Sequence, residues 1–382
     1  MLRSIEQNPI QLESLQVMPP SWRFLQPPKS GKCRVLFAGP HFQAGLASIK
    51  ALLGRSKDLC SRIELIHAPS KAELMAAAPT ADIAIPFIEH FDRDFIRAAA
   101  PRLRLIQQFG VGLERVDMEE ATNQGVAVSN VPAIGSGNAE STAEHALMLT
   151  MMLLRYAKVD LPRRFQQREL GGLPLPRTML GKNVTVVGYG HVGSTLCSYL
   201  THMGANVTAI RNRKWCHIED ADVVAKKLPC IKQALPTTDI LILACTVTPA
   251  TWHLVDKEKL ALLKDGAIVV NVARGPLVEY SAILDALKSG KVGGFASDVG
   301  VSHESKPSEP WDPEDELSKM DNVIFSPHVA GYCDESYGED GHISAAVFEG
   351  IRAVINCEPP PVWVNKPQSD VWRPSDPLIG AS

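Results

Sequence analysis

A short apolar run that leads into three spaced glycines constrains the fold of this chain more than any other feature. The segment Lys182–Gly193 reads KNVTVVGYGHVG, so the apolar residues Val184–Val187 continue directly into Gly-Tyr-Gly-His-Val-Gly. A helix-like stretch, Ser194–Met203, and a second apolar run, Val207–Ile210, come next. A strand, a GxGxxG turn, a helix and a second strand in this order are typical of a Rossmann βαβ unit that binds a dinucleotide.

The three glycines of this turn have different expected roles. Gly188 permits the tight turn, Gly190 lets the backbone approach a pyrophosphate, and Gly193 lets the following helix pack close to the strand. That helix would direct its N-terminal amides and its dipole at the phosphates. The whole turn is therefore predicted to bind the cofactor: Gly188, Tyr189, Gly190, His191, Val192 and Gly193.

The residues after the second strand bear on which dinucleotide is bound. An acidic residue commonly ends this strand and binds the ribose of NAD, but here the chain reads Arg211-Asn212-Arg213-Lys214. A carboxylate would repel the 2′-phosphate of NADP, whereas guanidinium groups would bind it through charge-assisted hydrogen bonds. The sequence therefore predicts NADP as the cofactor, with NAD as the alternative. The other interpretation is that these side chains only solvate a surface loop.

Strand-like and helix-like segments alternate along the chain, which predicts an α/β fold with parallel sheets covered on both faces. One group of strands is expected at Cys33–Gly39, Ile63–Pro69, Asp82–Ile88 and Leu103–Phe109. A second group of six is expected at Asn183–Gly188, Val207–Arg211, Ile240–Cys245, Ala267–Val272, Gly294–Val299 and Val323–Ser326. Long helices are predicted over Asn138–Tyr156 and Gly341–Asn356.

These segments predict two doubly wound parallel-sheet domains of the Rossmann-like or flavodoxin-like type. Residues 138–330 would form the dinucleotide-binding domain. Residues 1–137 together with 331–382 would form a discontinuous substrate domain, because the tail after the second group of strands is too short for a third domain. Residues 1–30 are expected to be an N-terminal extension.

Composition and charge argue against several broad classes of function. The net charge of −3 gives no global bias towards nucleic acid, and no apolar run approaches the roughly 20 residues that span a membrane. The eight cysteines contain no C-x-x-C pair and no zinc-type spacing, so we expect a reduced cytoplasmic protein without a metal site. The expected partner is a small molecule.

Two side chains with suitable chemistry follow predicted strands of the second group. Arg274 lies in NVARG after the strand at 267–272, and His328 lies in SPHVAG after the strand at 323–326. Ligands of open α/β sheets bind at the carboxyl ends of the strands. A guanidinium can bind a carboxylate and polarise a neighbouring ketone, and an imidazole can donate a proton near neutral pH.

A carboxylate behind the histidine would orient its ring and favour its protonated form. Glu309, in an acidic loop after the strand at 294–299, is the candidate. Arg274, Glu309 and His328 therefore form the predicted catalytic set for hydride transfer to a small 2-keto acid. The other histidines, His145 among them, lack a comparable motif and are interpreted as packing or surface residues.

Six motifs in one order resemble the D-2-hydroxyacid dehydrogenase family over about residues 80–355. They are QFGVGLERVD (108–117), NAESTAEHALML (138–149), VVGYGHVG (186–193), NVARGPLV (271–278), SDV (297–299) and SPHVAG (326–331). The resemblance implies that Arg274, a glutamate and His328 are catalytic. It also implies that the backbone of Val111 and Gly112 binds the substrate carboxylate, with hydride transfer in a cleft between the domains.

The same resemblance implies further site residues and an assembly. Thr142, Cys245, Val272, Ala273, Arg274, Asp298, His328 and Gly331 would line the cofactor, with Asp298 facing the nicotinamide carboxamide. The product would be a D-2-hydroxy acid. The protein would be a homodimer, with the helix at 138–156 as the place to look for its interface.

Two alternatives remain open. The segment DVGVSHESKPSEPWDPEDEL departs from the family spacing, so Glu304 is an alternative to the preferred Glu309, and both acids are otherwise explained as solvated loop residues. The alternative function is a dinucleotide-sensing, corepressor-like binding protein of the same fold with little catalysis.

Overall fold

A computed structural model describes most of the chain, namely residues 22–25, 31–39, 43–86, 89–100, 102–133, 135–156, 158, 160–169, 175–215, 226–300 and 312–366. These residues form two compact units. The first unit takes the described residues up to Val131 and those from Ile343 onward, and the second takes those of Pro132–His342. The domain boundaries predicted at 137/138 and 330/331 stay predictions.

The first unit contains a five-stranded parallel sheet. Its strands are β1 Cys33–Ala38, β2 Ile63–Ala68, β3 Ile83–Pro86, β4 Leu105–Gln107 and β5 Ala127–Ser129. They are arranged in the order β2-β1-β3-β4-β5, which is the flavodoxin-like order. Its helices are α1 Gln43–Arg55, α2 Lys57–Cys60, α3 Lys71–Ala77, α4 Arg93–Ala99, α5 Met118–Asn123 and, towards the carboxyl end of the chain, α14 His342–Ile355.

Segments from both ends of the chain complete this unit. The buried guanidinium of Arg104 donates hydrogen bonds to the carbonyl oxygens of Phe24 and Val354. The ring of Trp363 packs edge-on against Trp22 and Phe24, at centroid distances of 4.7 and 5.0 Å. Trp22 and Phe24 are buried, so this part of the predicted N-terminal extension belongs to the apolar core, where aromatic rings contribute most to stability.

The second unit contains a seven-stranded parallel sheet. Its strands are β6 Asn183–Val187, β7 Asn206–Ile210, β8 Lys226–Leu228, β9 Ile240–Leu243, β10 Ala267–Asn271, β11 Val292–Ser297 and β12 Val323–Phe325. The order is β12-β11-β10-β9-β6-β7-β8, the Rossmann order with one added strand. Its helices are α6 Asn138–Leu154, α7 Asp160–Gln167, α8 His191–His202, α9 Ile231–Ala234, α10 Lys257–Leu262, α11 Tyr280–Lys288, α12 Glu316–Lys319 and α13 Asp334–Tyr337.

The predicted fold class, two doubly wound parallel-sheet α/β domains, is confirmed. Two strands were not predicted, β5 and β8, and both are three-residue strands at a sheet edge. The sequence of β8 is KKL, which lacks the apolar run that marks a buried strand. Within the described residues, no helix combines the length and apolar character needed to cross a membrane.

Candidate active site

All seven strands of the second sheet end on one row of the strand register. Leu228, Ile210, Val187, Leu243, Asn271, Ser297 and Phe325 are the last residues of β8, β7, β6, β9, β10, β11 and β12, and each pairs with its neighbour in this row. The carboxyl edge of the sheet is therefore level. Every loop that leaves this edge therefore starts from the same row of residues. Ligands of open α/β sheets bind at this carboxyl edge.

The glycine turn leaves this edge after β6. Gly188 has φ +104°, and a Cβ atom built on it would lie 2.5 Å from the carbonyl oxygen of Ala244. A Cβ on Gly193 would lie 2.0 Å from the carbonyl oxygen of Gly188, so α8 packs directly against the turn. In contrast, nothing lies within 4 Å of a Cβ on Gly190. The open space above Gly190 is where a pyrophosphate could approach the backbone.

The first turn of α8 has the features of an anion site. Gly190 is its N-cap and supplies no side-chain hydrogen bond to the helix. The amides of His191, Val192 and Gly193 lack the i−4 partners that later residues of the helix have. The Nε2 atom of His191 is buried and has no hydrogen-bond partner among the described residues. These unpaired donors and the open space at Gly190 fit the pyrophosphate of a dinucleotide.

The basic segment after β7 packs on a tryptophan that was not predicted to be part of the site. The guanidinium carbon of Arg211 lies 4.0 Å from the ring centroid of Trp215. The Nε and Nη2 atoms of Arg211 donate to the carbonyl oxygens of Arg213 and Lys214, at 3.0 and 2.8 Å. Asn212 and Arg213 are exposed. Arg211 is thus held in a defined position by a cation–π contact and two hydrogen bonds.

Trp215 is itself held by neighbouring elements. Its indole Nε1 lies 3.5 Å from the carbonyl oxygen of Leu228, the last residue of β8. The ring of Tyr189, from the glycine turn, packs edge-on against it at 5.2 Å. The ammonium of Lys227 lies 5.8 Å from the Trp215 ring centroid, so Arg211 and Lys227 both lie next to one indole ring.

The loop after β10 carries Arg274 and is fixed by the side chain of Asn271. The amide oxygen of Asn271 accepts a hydrogen bond from the backbone of Ala273 at 3.0 Å. Its amide nitrogen donates to the carbonyl oxygen of Arg274 at 2.9 Å. Asn271 is fully buried, so both bonds are shielded from water and set the start of the Arg274 side chain.

The loop after β12 carries His328 and is fixed by Asp298, the residue that follows β11. One carboxylate oxygen of Asp298 accepts from the Ser326 hydroxyl at 2.7 Å and from the Val329 amide at 2.9 Å. The other accepts from the Ala330 amide at 2.8 Å. The backbone of His328 donates to the carbonyl oxygen of Asp298 at 2.8 Å.

His328 has an unusual backbone conformation. Its φ is +55°, in the left-handed region that residues with a side chain rarely adopt. Residues held in this region cost about 1–3 kcal/mol and cluster at functional sites, where the surrounding structure fixes them. The hydrogen bonds that Asp298 accepts from this loop supply that support here.

Helix α6 braces the same loop. The Ser141 hydroxyl donates to the carbonyl oxygen of Ala330 at 2.8 Å. A Cβ atom on Gly331 would lie 2.0 Å from the Asn138 amide nitrogen, so the Asn138 side chain packs closely against this glycine. The Nε2 atom of His145 lies 2.7 Å from the Ser326 hydroxyl. Residues 138, 141 and 145 share one face of the helix.

His145, interpreted from the sequence as a packing or surface residue, contacts polar groups at this loop. Its Nε2 atom also lies 3.4 Å from a carboxylate oxygen of Asp298. Burial lowers the pKa of His145, while the charge of Asp298 acts in the opposite direction. The spacing Asn138, Ser141 and His145 is the signal that could have identified this polar face of α6 from the sequence.

The other predicted cofactor residues lie at or near the same edge. Thr142 is buried in α6, next to Ser141, and Val272 and Ala273 are buried directly after β10. Cys245 follows β9, and burial raises the pKa of its thiol to about 11. The structure therefore brings these positions, Arg211, Asp298 and the glycine turn to one edge of one sheet.

Val111 and Gly112, predicted to bind the substrate carboxylate, belong to the first unit. The Gln108 side chain donates to the carbonyl oxygen of Gly112 and the Asn130 side chain to that of Val111, both at 2.8 Å. Both carbonyl groups are thus held by the protein. Among the described residues, neither amide N–H of this pair donates a hydrogen bond. The preferred acid Glu309 and its alternative Glu304 lie outside the described residues.

Comparison with known proteins agrees with this arrangement. Residues 147–330 match the family described as D-isomer specific 2-hydroxyacid dehydrogenase, NAD binding domain. A glyoxylate reductase of Thermococcus kodakarensis is 30% identical over 284 residues, which are 72% of this chain and 80% of that protein. A D-3-phosphoglycerate dehydrogenase of Mycobacterium leprae is 32% identical over 308 residues, 79% of this chain and 54% of that protein.

A solved structure extends the similarity to both units. The pyruvate reductase of Chlamydomonas reinhardtii superposes with a TM-score of 0.70 at 26% identity, covering 87% of this chain and 98% of that one. The chain belongs to the D-isomer specific 2-hydroxyacid dehydrogenase family, whose members are NAD-dependent oxidoreductases of small 2-hydroxy or 2-keto acids. The resemblance drawn from the six motifs is confirmed, and the cofactor is a nicotinamide dinucleotide.

Proposed function

We propose that this protein reduces a small 2-keto acid to the D-2-hydroxy acid with NADPH, using Arg274 and His328. One observation carries the proposal. Both residues lie three positions beyond the common end row of the sheet, after β10 and β12, which are separated only by β11. Two strand spacings put the starts of these loops about 10 Å apart. That separation suits two long side chains that act on one small molecule.

The two side chains would divide the chemistry. The Arg274 guanidinium would bind the substrate carboxylate through two N–H groups and polarise the adjacent ketone. The imidazolium of His328 would donate its proton to the carbonyl oxygen as the keto carbon is reduced. The bound reduced nicotinamide supplies the hydride. The reverse reaction would require neutral His328, which would accept the hydroxyl proton.

A carboxylate would hold the His328 ring in this scheme. Glu309 is our candidate and Glu304 the alternative. Replacing each by Gln separately distinguishes them, because a carboxylate that favours protonated His328 should be needed most at high pH. The enzyme in which the catalytic glutamate is replaced by Gln should lose turnover on the high-pH side of its profile. The other variant should not. We also propose that the backbone of Val111 and Gly112 binds the substrate carboxylate.

The substrate class follows from the relatives. Proteins similar to this chain are named glyoxylate reductase, D-3-phosphoglycerate dehydrogenase and pyruvate reductase. Their common element is a carboxylate next to a carbonyl or hydroxyl carbon, which is what Arg274 and His328 would recognise. We propose glyoxylate, hydroxypyruvate or a somewhat larger 2-keto acid as the substrate.

The preference for NADP rests on the basic segment after β7. Arg211 is held against Trp215, and Lys227 lies beside the same ring. No acidic residue occurs between Asn206 and Trp215. A 2′-phosphate would therefore meet positive charge with no carboxylate in this segment to repel it.

The test is a panel of 2-keto acids of increasing size, assayed with NADPH and with NADH by the loss of nicotinamide absorbance. We expect turnover of at least one acid, with a higher kcat/KM for NADPH. A clear preference for NADH would contradict the NADP assignment alone. Absence of turnover with every acid and both cofactors would contradict the proposed enzymatic activity and favour the sensing alternative. The names of the relatives do not support that alternative.

We further propose that the protein is a homodimer through its second unit. Five of the nine large apolar side chains that are exposed in the described residues fall between positions 148 and 180: Met148, Leu161, Phe165, Leu175 and Leu180. Phe165, on α7, is 87% exposed. A contiguous exposed apolar area marks an association surface, and we propose that these side chains form one. Light scattering should give a dimer that Phe165→Lys shifts towards monomer, whereas a monomeric wild-type protein would contradict the proposal.

A further inference from the structure

A partly buried chain of hydrogen bonds connects helix α6 to the loop that carries His328. The Ser326 hydroxyl donates to the Asp298 carboxylate, and the Nε2 atom of His145 lies within hydrogen-bond distance of the same hydroxyl. A hydroxyl has one proton to donate, and here the carboxylate receives it. Ser326 must therefore accept from His145, which requires the tautomer with the proton on Nε2.

The other end of this chain holds the backbone around His328. Asp298 accepts from the amides of Val329 and Ala330 through its carboxylate, and from the amide of His328 through its carbonyl oxygen. Asp298 is 1% exposed, so its charge is compensated by these donors rather than by water. The three amides belong to consecutive residues, beginning with the one whose φ is +55°.

Removing His145 would take from the Ser326 hydroxyl a donor that helps to fix its orientation. Burial favours the neutral form of His145 by lowering its pKa, which suits an uncharged donor in this position. The imidazole is 13% exposed, and it belongs to a helix that also contacts Ala330 through Ser141. Helix α6 therefore contacts the loop of His328 at both Ser326 and Ala330.

We propose that His145 is a positioning residue for the reaction: through Ser326 and Asp298 it holds the backbone at His328 so that the imidazole meets the substrate carbonyl. This inference rests on the proposed role of His328 in proton donation. A displacement of about 1 Å of such a group costs on the order of 100-fold in rate, so the effect should be on kcat rather than on cofactor binding.

The central experiment compares His145→Leu, which removes the donor, with His145→Gln, which can place an N–H near the position of Nε2. With the best 2-keto acid of the panel, we expect His145→Leu to lower kcat about 10- to 100-fold. The Kd for NADPH, measured by fluorescence, should stay at the wild-type value, and His145→Gln should recover most of the lost turnover. His202→Leu is the matched control, because His202 is an exposed histidine at the far end of α8.

A double-mutant cycle tests the route through Ser326. Ser326→Ala alone should lower kcat to a similar extent, and adding His145→Leu should cost little more, because both changes break one chain of bonds. Wild-type kcat in His145→Leu, equal loss in the Leu and Gln variants, or additive losses in the double variant would each overturn the proposal. Should His145→Leu fail to fold, normal kcat in Ser326→Ala would overturn it.

His328→Ala separates this inference from the proposed function on which it rests. If His328→Ala keeps turnover, the role of His328 itself is wrong. If His328→Ala is inactive while His145→Leu and Ser326→Ala turn over normally, only the positioning role of His145 is wrong.

Discussion

The backbone amide of Asp298 donates a hydrogen bond to the carbonyl oxygen of Asn271 over 3.0 Å. This bond joins the two residues that organise the site, since Asn271 fixes the loop of Arg274 and Asp298 fixes the loop of His328. Both are buried polar residues at the ends of adjacent strands. The two proposed catalytic loops are thus connected by this hydrogen bond at the carboxyl edge of the sheet.

The first prediction concerns the side chain of Arg274. Arg274→Ala should lower kcat/KM for the 2-keto acid about 10²–10³-fold, because a preorganised donor to the developing negative charge is lost. Arg274→Lys should recover only part of this, since an ammonium cannot bind a carboxylate in the same two-bond geometry. Steady-state kinetics with saturating NADPH measures both. Equal activity of the Lys variant and the wild type would speak against two-bond recognition.

The second prediction separates two glycines of one turn. Gly193→Ala would place a Cβ atom 2.0 Å from the Gly188 carbonyl oxygen, and such overpacking typically costs about 1–3 kcal/mol of stability. Gly190→Ala meets nothing within 4 Å in the protein, so the free energy of unfolding should change little while cofactor binding weakens. Denaturation curves and NADPH titrations of the two variants check this contrast. Unchanged NADPH affinity in Gly190→Ala would mean that the pyrophosphate does not bind next to Gly190.

The third prediction concerns Trp215. Trp215→Leu should raise the KM for NADPH about three- to thirtyfold, the range expected when a cation–π contact that positions Arg211 is lost. The KM for NADH should not change, because NADH has no 2′-phosphate. Trp252→Leu, at another partly exposed tryptophan, is the control. If the KM values for NADPH and NADH rise equally, Trp215 supports the fold of the cofactor site and not its selectivity.

The site also shows what could be predicted from this sequence. The glycine turn, Arg274 and His328 were predicted because their chemistry is carried by short contiguous motifs next to apolar strands. His145 and Trp215 were not predicted to be site residues, because their contacts with Ser326 and Arg211 form only in the folded chain. Likewise, β5 and β8 were missed because three-residue edge strands carry no periodic pattern.

The fourth prediction follows from the lowered pKa of His145. Burial lowers the pKa of this residue in the folded protein, whereas in the unfolded chain it binds a proton as the pH falls below about 6.5. The unfolded state then binds more protons, so stability decreases with falling pH. His145→Gln should show a smaller loss of unfolding free energy between about pH 7.5 and pH 5.5 than the wild type. An identical loss in both proteins would mean that His145 has an ordinary pKa.

The central claim is that His328 donates the proton to a 2-keto acid beside the bound nicotinamide. The most direct measurement is single-turnover reduction by His328→Ala with NADPH already bound, compared with the wild type. With NADPH saturating in both proteins, we predict a rate about 10²–10⁴-fold lower, the loss expected for a general acid. A single-turnover rate within a few-fold of the wild type would contradict the account.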